Sequence, residues 1–383
     1  MSQLTNTLWE LGFKGWSGET SWQDGYSVLL PVPHDLPVFF KLAMQTVQRQ
    51  SADHRVDILV IPDTPTAKFR QVYEAVYASL PKALRQEMSL VEMSAKDRFF
   101  RRIGSRKEHY LQTVNGIMRA KGQQVLMHDA DAFILSDTFF DRMYQDCVER
   151  KLSVLGVNPI WDDWYRDRNY DHLVATWEMM CSQQWARRFA PSAFRGHVNT
   201  LPNEAPHSFD NYCYAQCQTA PQEIGLFEGE VEFVHFNHVI RTYRLFSQAK
   251  ANNETYVDEH FRLVLIRLLV ELFDQESAAD YDLPTMGDLY QSLVGQNDAV
   301  SFISEDSEHE YRKFRTKLNQ LLGSVYLNDA QRDEVAAMLQ PFDQHFLAPV
   351  GTPAAPVVAM ADMVSTETVN ADAVLEAVGS TKA

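Results

Sequence analysis

The sequence predicts an α/β protein: a mostly parallel, Rossmann-like sheet with helices on both faces, followed by a helical C-terminal region. Three observations carry this. Short runs rich in Val, Ile and Leu alternate with longer runs of helical period between residues 26 and 157. The connections are short, and the strand-like runs lack a polar face, as in strands covered on both sides. From about Asn252 to Phe346 the pattern is helical.

Taken in order, Tyr26 to Val32 reads as a buried strand closed by Pro31 and Pro33. Asp35 is placed to cap a helix over about Pro37 to Gln50, with Pro37 in its first turn. Val56 to Ile61 is a second strand, bounded by Pro62 and Asp63. Thr64 and Pro65 then read as N-cap and first helical residue, ahead of Phe69, Val72, Tyr73, Val76, Tyr77 and Leu80 at helical spacing. Ser105 and Glu108 have the spacing of a capping box. The helix they open carries Leu111, Val114 and Met118 and stops near Gly122. Gln123 to Met127 is a strand running into His128, Asp129, Ala130 and Asp131. A helix with Phe139, Phe140, Met143, Tyr144 and Cys147 follows, then a strand over Leu152 to Val157. From Asn158 to about Gly229 the chain is rich in Trp, Arg, Asp, Pro and His, with one helical stretch over His172 to Phe189. Glu230 to Phe236 returns to a strand pattern. Helices over Phe261 to Phe273 and Glu310 to Leu322 stand out in the last third, and beyond Ala348 a flexible tail is expected.

Composition narrows the function. The 383 residues include 51 acidic and 35 basic side chains, a formal net charge of −16, so a nucleic-acid grip through phosphates is not expected. Four cysteines, Cys147, Cys181, Cys213 and Cys217, are too few for a disulfide scaffold and suggest a reducing, cytoplasmic setting. Cys213, Cys217, His207 and His235 do not have the paired spacing of a structural zinc site, and buried thiols are the better reading. The N-terminus lacks the basic start and apolar run of a signal peptide. Phe261 to Phe273 is broken by Arg262, Arg267 and Glu271, which suits a core helix with a charged face and not a transmembrane segment.

The chemistry concentrates at Asp129 and Asp131. Two carboxylates spaced i, i+2 at a strand end reach one divalent cation if the chain bends there, and an oxygen-lined site suits Mg²⁺ or Mn²⁺ shared with a diphosphate. Asp280 and Asp282 have the same spacing but sit between a small-residue run and Leu283-Pro284, which reads as a loop. Context separates the two pairs, because strand carboxyl ends are where parallel sheets bind ligands.

In that context residues about 24–245 resemble the GT-A class of nucleotide-sugar glycosyltransferases. The run from Lys107 through Asn115 and Gly116 to Gln123–Asp131 looks like that class's helix-then-strand approach to its Asp-x-Asp metal motif. Val28 to Pro33 is similar to its first strand and nucleotide-contacting loop, which brings in Pro33 and His34. The resemblance implies a nucleotide-diphosphate sugar donor, with Asp63 near its base or ribose and Asp129 and Ala130 against the cofactor. It implies a third metal ligand from a late strand, for which His235 comes first and His238 second; the plain alternative is a histidine satisfied by hydrogen bonds. It also divides the chain: an N-terminal extension (1–23), a GT-A-like domain (24–250), a helical region (251–347) and a tail (348–383). Within the domain a donor half spans about 24–157 and an acceptor half about 158–250.

Other residues suit the same chemistry. Arg98, Arg101, Arg102, Arg106 and Lys107 form a basic knot, and Arg106 and Lys107 are placed to meet phosphate oxygens; a solvated face is the alternative. Asn115 is a candidate contact from the next helix, with a helix-packing hydrogen bond as its alternative role. A base that takes the acceptor hydroxyl's proton is sought among Asp162, Asp163, Glu204 and Asp210, with Asp210 and Asp163 in front. Trp161 beside Asp162 and Asp163 is suited to stacking on a sugar. The acceptor is expected to be a glycan or lipid-linked glycan, the latter with peripheral membrane contact. For the C-terminal helices, covering the acceptor side, self-association and binding other transferases of a polysaccharide pathway stand as equal alternatives. Two rival readings remain. A sugar-nucleotide nucleotidyltransferase usually has a Gly-rich loop after its first strand, and Pro33 to Pro37 has no glycine. A non-catalytic nucleotide-binding interaction protein has no need of paired acids.

Overall fold

The structure, a computed structural model, describes residues 21–92, 108–160, 162–229, 232–302 and 306–347, with Gly12, Phe13, Trp16, Ser94, Asp97 and Phe99. The Ser105 cap, the basic knot with Arg106 and Lys107, Trp161 and the tail lie outside the described residues.

Strands β1 (Gln23–Val32) and β2 (Arg55–Pro62) form at the first two apolar runs, joined by α1 (Val38–Arg49). Pro37 occupies the N-cap of α1 and no side chain caps it, so Asp35 is not the cap the sequence suggests. Helix α2 (Ala67–Ser79) starts at Thr66, whose hydroxyl accepts from the Phe69 N–H; the cap is two residues beyond Thr64. Helix α3 (Lys82–Glu87) leads into β3 (Met88–Leu90), too short to show a pattern in the sequence. Then come α4 (Glu108–Arg119), β4 (Gly122–His128), β5 (Ala132–Ile134), α5 (Phe139–Glu149) and β6 (Val154–Gly156).

The stretch His172 to Phe189 is not one helix. It contains β7 (Glu178–Ser182), followed by a single helical turn, Gln183–Ala186, capped by the Ser182 hydroxyl. Four of the five β7 residues are buried, so this strand shows no alternation and resembles a buried helix in sequence. Strands β8 (Val198–Asn199) and β9 (His207–Ser208) pair with each other, and β10 (Ile224–Leu226) and β11 (Phe233–His235) follow. The last third comprises α6 (Val239–Ala251), β12 (Tyr256–Val257), α7 (Arg262–Phe273), α8 (Met286–Leu293), β13 (Val300–Ser301), α9 (Ser307–Leu322) and α10 (Asp329–Phe346).

The main sheet has the order β10-β6-β7-β4-β1-β2-β3. All its pairings are parallel except those of β7, which runs antiparallel to β4 and β6. Each face carries its own core, and successive residues of β1 divide between them. Val28 and Leu30 pack with α1, α2, α5 and the C-terminal helices; Leu29 packs with Leu111, Val114 and Ile117 of α4 and with the middle segment. Two-sided burial is why the predicted strands read as unbroken apolar runs. Helix α7 is buried continuously from Leu263 to Val270, including Arg267, which pairs with Glu271; it has no exposed charged face. The C-terminal helices therefore share the core of the sheet. Tyr326, between α9 and α10, donates its hydroxyl to the Ile134 carbonyl of β5 at 2.7 Å.

Gly122 opens β4 where two strands approach closely. A Cβ there would lie 2.7–2.9 Å from backbone atoms of Tyr26 and Ser27, which have no rotamer with which to yield. Gly122→Ala is expected to cost about 1–3 kcal/mol by overpacking, read as a lower midpoint in urea unfolding with an unchanged slope.

Candidate functional site

The site grows from the carboxyl end of β4. Beyond His128 the chain turns back: the Asp129 N–H donates to the Trp177 carbonyl at 3.0 Å, and the Ala132 N–H to the Asp129 carbonyl at 3.1 Å. That turn buries Ala130 and Asp131 and leaves Asp129 half-buried. Strand β5 then pairs antiparallel with β11, placing Ala132 opposite His235. The pairing brings His235 Nε2 to 3.3 Å from Asp131 Oδ1. One ligand atom from each of Asp129, Asp131 and His235 lies within 4.8 Å of the others. Two ligands of one small dication sit at most about 4.2 Å apart, so a modest side-chain movement closes the set on an ion. The donors, two carboxylates and one imidazole, suit a divalent cation.

The surroundings fix these ligands. Trp177 stacks on the His235 ring at 4.1 Å between centroids and holds it against the turn. Below, His128 Nδ1 and Glu178 Oε2 meet at 2.7 Å, both fully buried, across the register pair that joins β4 to β7. Burial pushes the Glu178 carboxyl up, and His128 offsets part of that shift.

His109, in the first turn of α4, is a residue the sequence reading missed. Its Nε2 lies 3.4 Å from Asp129 Oδ1, and its Nδ1 lies 2.9 Å from the Asn211 amide nitrogen. Burial alone would lower the His109 pKa, but the carboxylates of Asp129, Asp131 and Asp210 outweigh it and raise it.

A second cluster stands at the carboxyl ends of β1 and β2. His34, Asp35 and Asp63 approach one another as closely as the first three residues do. Here the cation is already present: Arg244 of α6 grips Asp35 with two bonds of 2.8 Å and also donates to Asp63. The other Asp63 oxygen accepts from the His34 N–H at 3.0 Å and meets His34 Nδ1 at 2.7 Å. Burial pushes the Asp63 carboxyl up, but His34 and the Arg244 guanidinium more than offset this and hold it at about 2. Asp35 is thus an anchor for Arg244, and Asp63 buttresses the loop after β1.

No family model matches the chain, and no curated protein matches it. Solved structures do. A mannosyltransferase from Pyrobaculum calidifontis, PcManGT, solved with GDP-Man and Mn²⁺, is 12% identical over 91% of this chain and 96% of its own, with a TM-score of 0.39. Residues 1–349 of S. aureus TarS are 12% identical over 84% of this chain and 92% of that one, at 0.36. The galactosyltransferase LgtC, with donor and acceptor sugar analogs, is 10% identical over 80% of this chain and 99% of its own, at 0.37. Identities this low transfer no activity, donor or acceptor, and the functional reading rests on the geometry of this chain.

The residues predicted from sequence are distributed unevenly. Asp129, Asp131 and His235 come together. His238 does not join them: it is the exposed N-cap of α6, with a left-handed φ of 66°. Asn115 is buried and donates to Asp97 and to the Leu111 carbonyl, while its own oxygen accepts from Arg119, so the helix-packing alternative describes it. Asp163 is exposed on the one-turn helix Asp163–Arg166 and pairs with Arg166. Asp210 is exposed too, but it adjoins Asn211 and acts electrostatically on His109, which brings it to the metal side. Pro33 and His34 lie at the end of β1 beside Asp63. Among the described residues, no helix is long and apolar enough to cross a membrane.

This geometry has two measurable consequences. Calorimetric titration with Mn²⁺ should show binding lost in Asp131→Ala, weakened in His235→Ala and unchanged in His238→Ala. The second concerns acid. Because the folded Asp63 pKa lies below its unfolded value, its stabilisation is full above the unfolded pKa and is lost as pH falls toward about 2. Between about pH 5 and pH 3, wild type should lose on the order of 1 kcal/mol more stability than Asp63→Asn, measured by urea unfolding at each pH.

Proposed function

We propose that this protein is a metal-dependent glycosyltransferase that moves a sugar from a nucleotide-diphosphate donor to a hydroxyl of a glycan or lipid-linked glycan. The observation that carries this reading is the convergence of Asp129, Asp131 and His235 at the carboxyl end of β4, with the His34–Asp63–Arg244 cluster at the neighbouring ends of β1 and β2. Ligands of parallel α/β sheets bind outside the carboxyl ends of their strands.

The roles follow from position. Asp129, Asp131 and His235 would hold Mn²⁺, or Mg²⁺ less well, and that ion supplies neutralising charge to the departing diphosphate. Pro33 and His34 border the pocket for the nucleoside, on a loop kept in place by Asp63 and Arg244. The Ala130 backbone lines the turn against the phosphates. Asp210, on the acceptor-half loop after β9, is the preferred base for the acceptor hydroxyl's proton. Asp163, tied to Arg166 at the surface, is the weaker choice.

The test is a thermal-shift panel of nucleotide sugars with and without Mn²⁺ or Mg²⁺, followed by assay of donor consumption. A true donor at about a hundredfold excess over its Kd stabilises the folded state by about 2.7 kcal/mol, a rise of several degrees, and the rise should require metal. Metal-independent nucleotide binding without turnover would favour the interaction-protein reading. Release of pyrophosphate from a nucleoside triphosphate and sugar phosphate would favour a nucleotidyltransferase.

A further inference from the structure

The loop that carries Asp210 also reaches the metal side through one side chain. Asn211 Oδ1 lies 2.6 Å from the backbone nitrogen of Gly196. A backbone N–H only donates, so the amide oxygen must face it, and this fixes the orientation of Asn211. The amide nitrogen, also only a donor, therefore faces His109 Nδ1 at 2.9 Å. Nδ1 is then the acceptor, and the proton of the neutral imidazole resides on Nε2. That nitrogen is shielded from solvent and makes no well-formed hydrogen bond; Asp129 Oδ1 lies 3.4 Å away, where a small rotation of the ring would complete one.

We infer that His109 is a positioning residue for the metal site, held by Asn211 in the Nε2–H tautomer so that it donates to Asp129 and keeps that carboxylate turned toward the ion. It is not a fourth ligand, because a protonated nitrogen has no lone pair to offer a metal. The inference rests on the Asp129–Asp131–His235 reading and extends it: an acceptor-half loop sets the geometry of a donor-half ligand. Donation of this kind is the usual second contact of a ligating carboxylate.

Two measurements on the full chain test it. Selective ¹⁵N-histidine NMR of metal-free protein should show His109 as the Nε2–H tautomer. In Asn211→Asp, whose carboxylate only accepts, the Nδ1 nitrogen should become protonated. Mn²⁺ titration without nucleotide should show His109→Leu binding about 10- to 100-fold more weakly. His109→Gln, whose amide N–H reaches the place of Nε2, should recover most of that loss. A wild-type Nδ1–H tautomer, or wild-type Mn²⁺ affinity in folded His109→Leu, would overturn the assignment. If wild type itself binds no Mn²⁺, the metal reading fails, and the NMR result alone decides whether Asn211 sets the His109 tautomer.

Discussion

The short antiparallel pairing of β5 with β11 is the contact on which the site depends. It joins segments about a hundred residues apart, and its register places His235 beside Asp131. Side chains alternate along a strand, so a slip of one residue would turn His235 away and bring Val234 in its place. The register is held from several directions. Phe233 and Val234 belong to the core on one side of the sheet, Trp177 stacks on His235, and Tyr326 hydrogen-bonds the Ile134 carbonyl of β5. The C-terminal helices thus act on the metal side without contributing a ligand to it.

The sheet supplies the rest of the geometry. Because β1, β2 and β4 are parallel neighbours, their carboxyl ends open on the same edge of the sheet. Inserting β7 antiparallel between β4 and β6 delivers Trp177 and Glu178 to that edge from the opposite direction. Glu178 then lies under the turn as a buried partner of His128, and the Trp177 carbonyl receives the Asp129 N–H. One reversed strand supports both the backbone of the metal turn and the ring of its histidine.

Much of this is legible in the sequence, and the failures have physical causes. Strands β1, β2 and β4 stand out because their positions are buried on both faces. The same property hides β7, whose Met179, Met180 and Cys181 fit a buried helix as well as a buried strand. Asp129 and Asp131 are visible because local spacing and a preceding strand specify their geometry. His235 is visible only as a histidine at a strand end. Distinguishing it from His238 requires the β5 pairing, which sequence spacing does not encode. His109 gives no signal, since its meaning comes from Asp129 and Asn211, the latter 102 residues away. Asp35 misleads for a related reason: a local cap is the nearest use for it, while its actual partner, Arg244, is 209 residues distant.

The two acidic clusters show why composition alone does not identify a metal centre. Each joins two aspartates to a histidine, with one ligand atom of each within 4.8 Å of the others. They differ in what neutralises them. Beyond β1 and β2, the Arg244 guanidinium fills the cation's place with a planar fork matched to the carboxylates, and His34 satisfies the remaining oxygen. Beyond β4, the partners of Asp129 and Asp131 among the described residues are the imidazoles of His109 and His235. Two carboxylates held this close repel each other, and a dication that entered between them would relieve the repulsion. Among the described residues, Arg244 thus makes one cluster scaffolding and leaves the other as the candidate for ion binding, on the same edge of the same sheet.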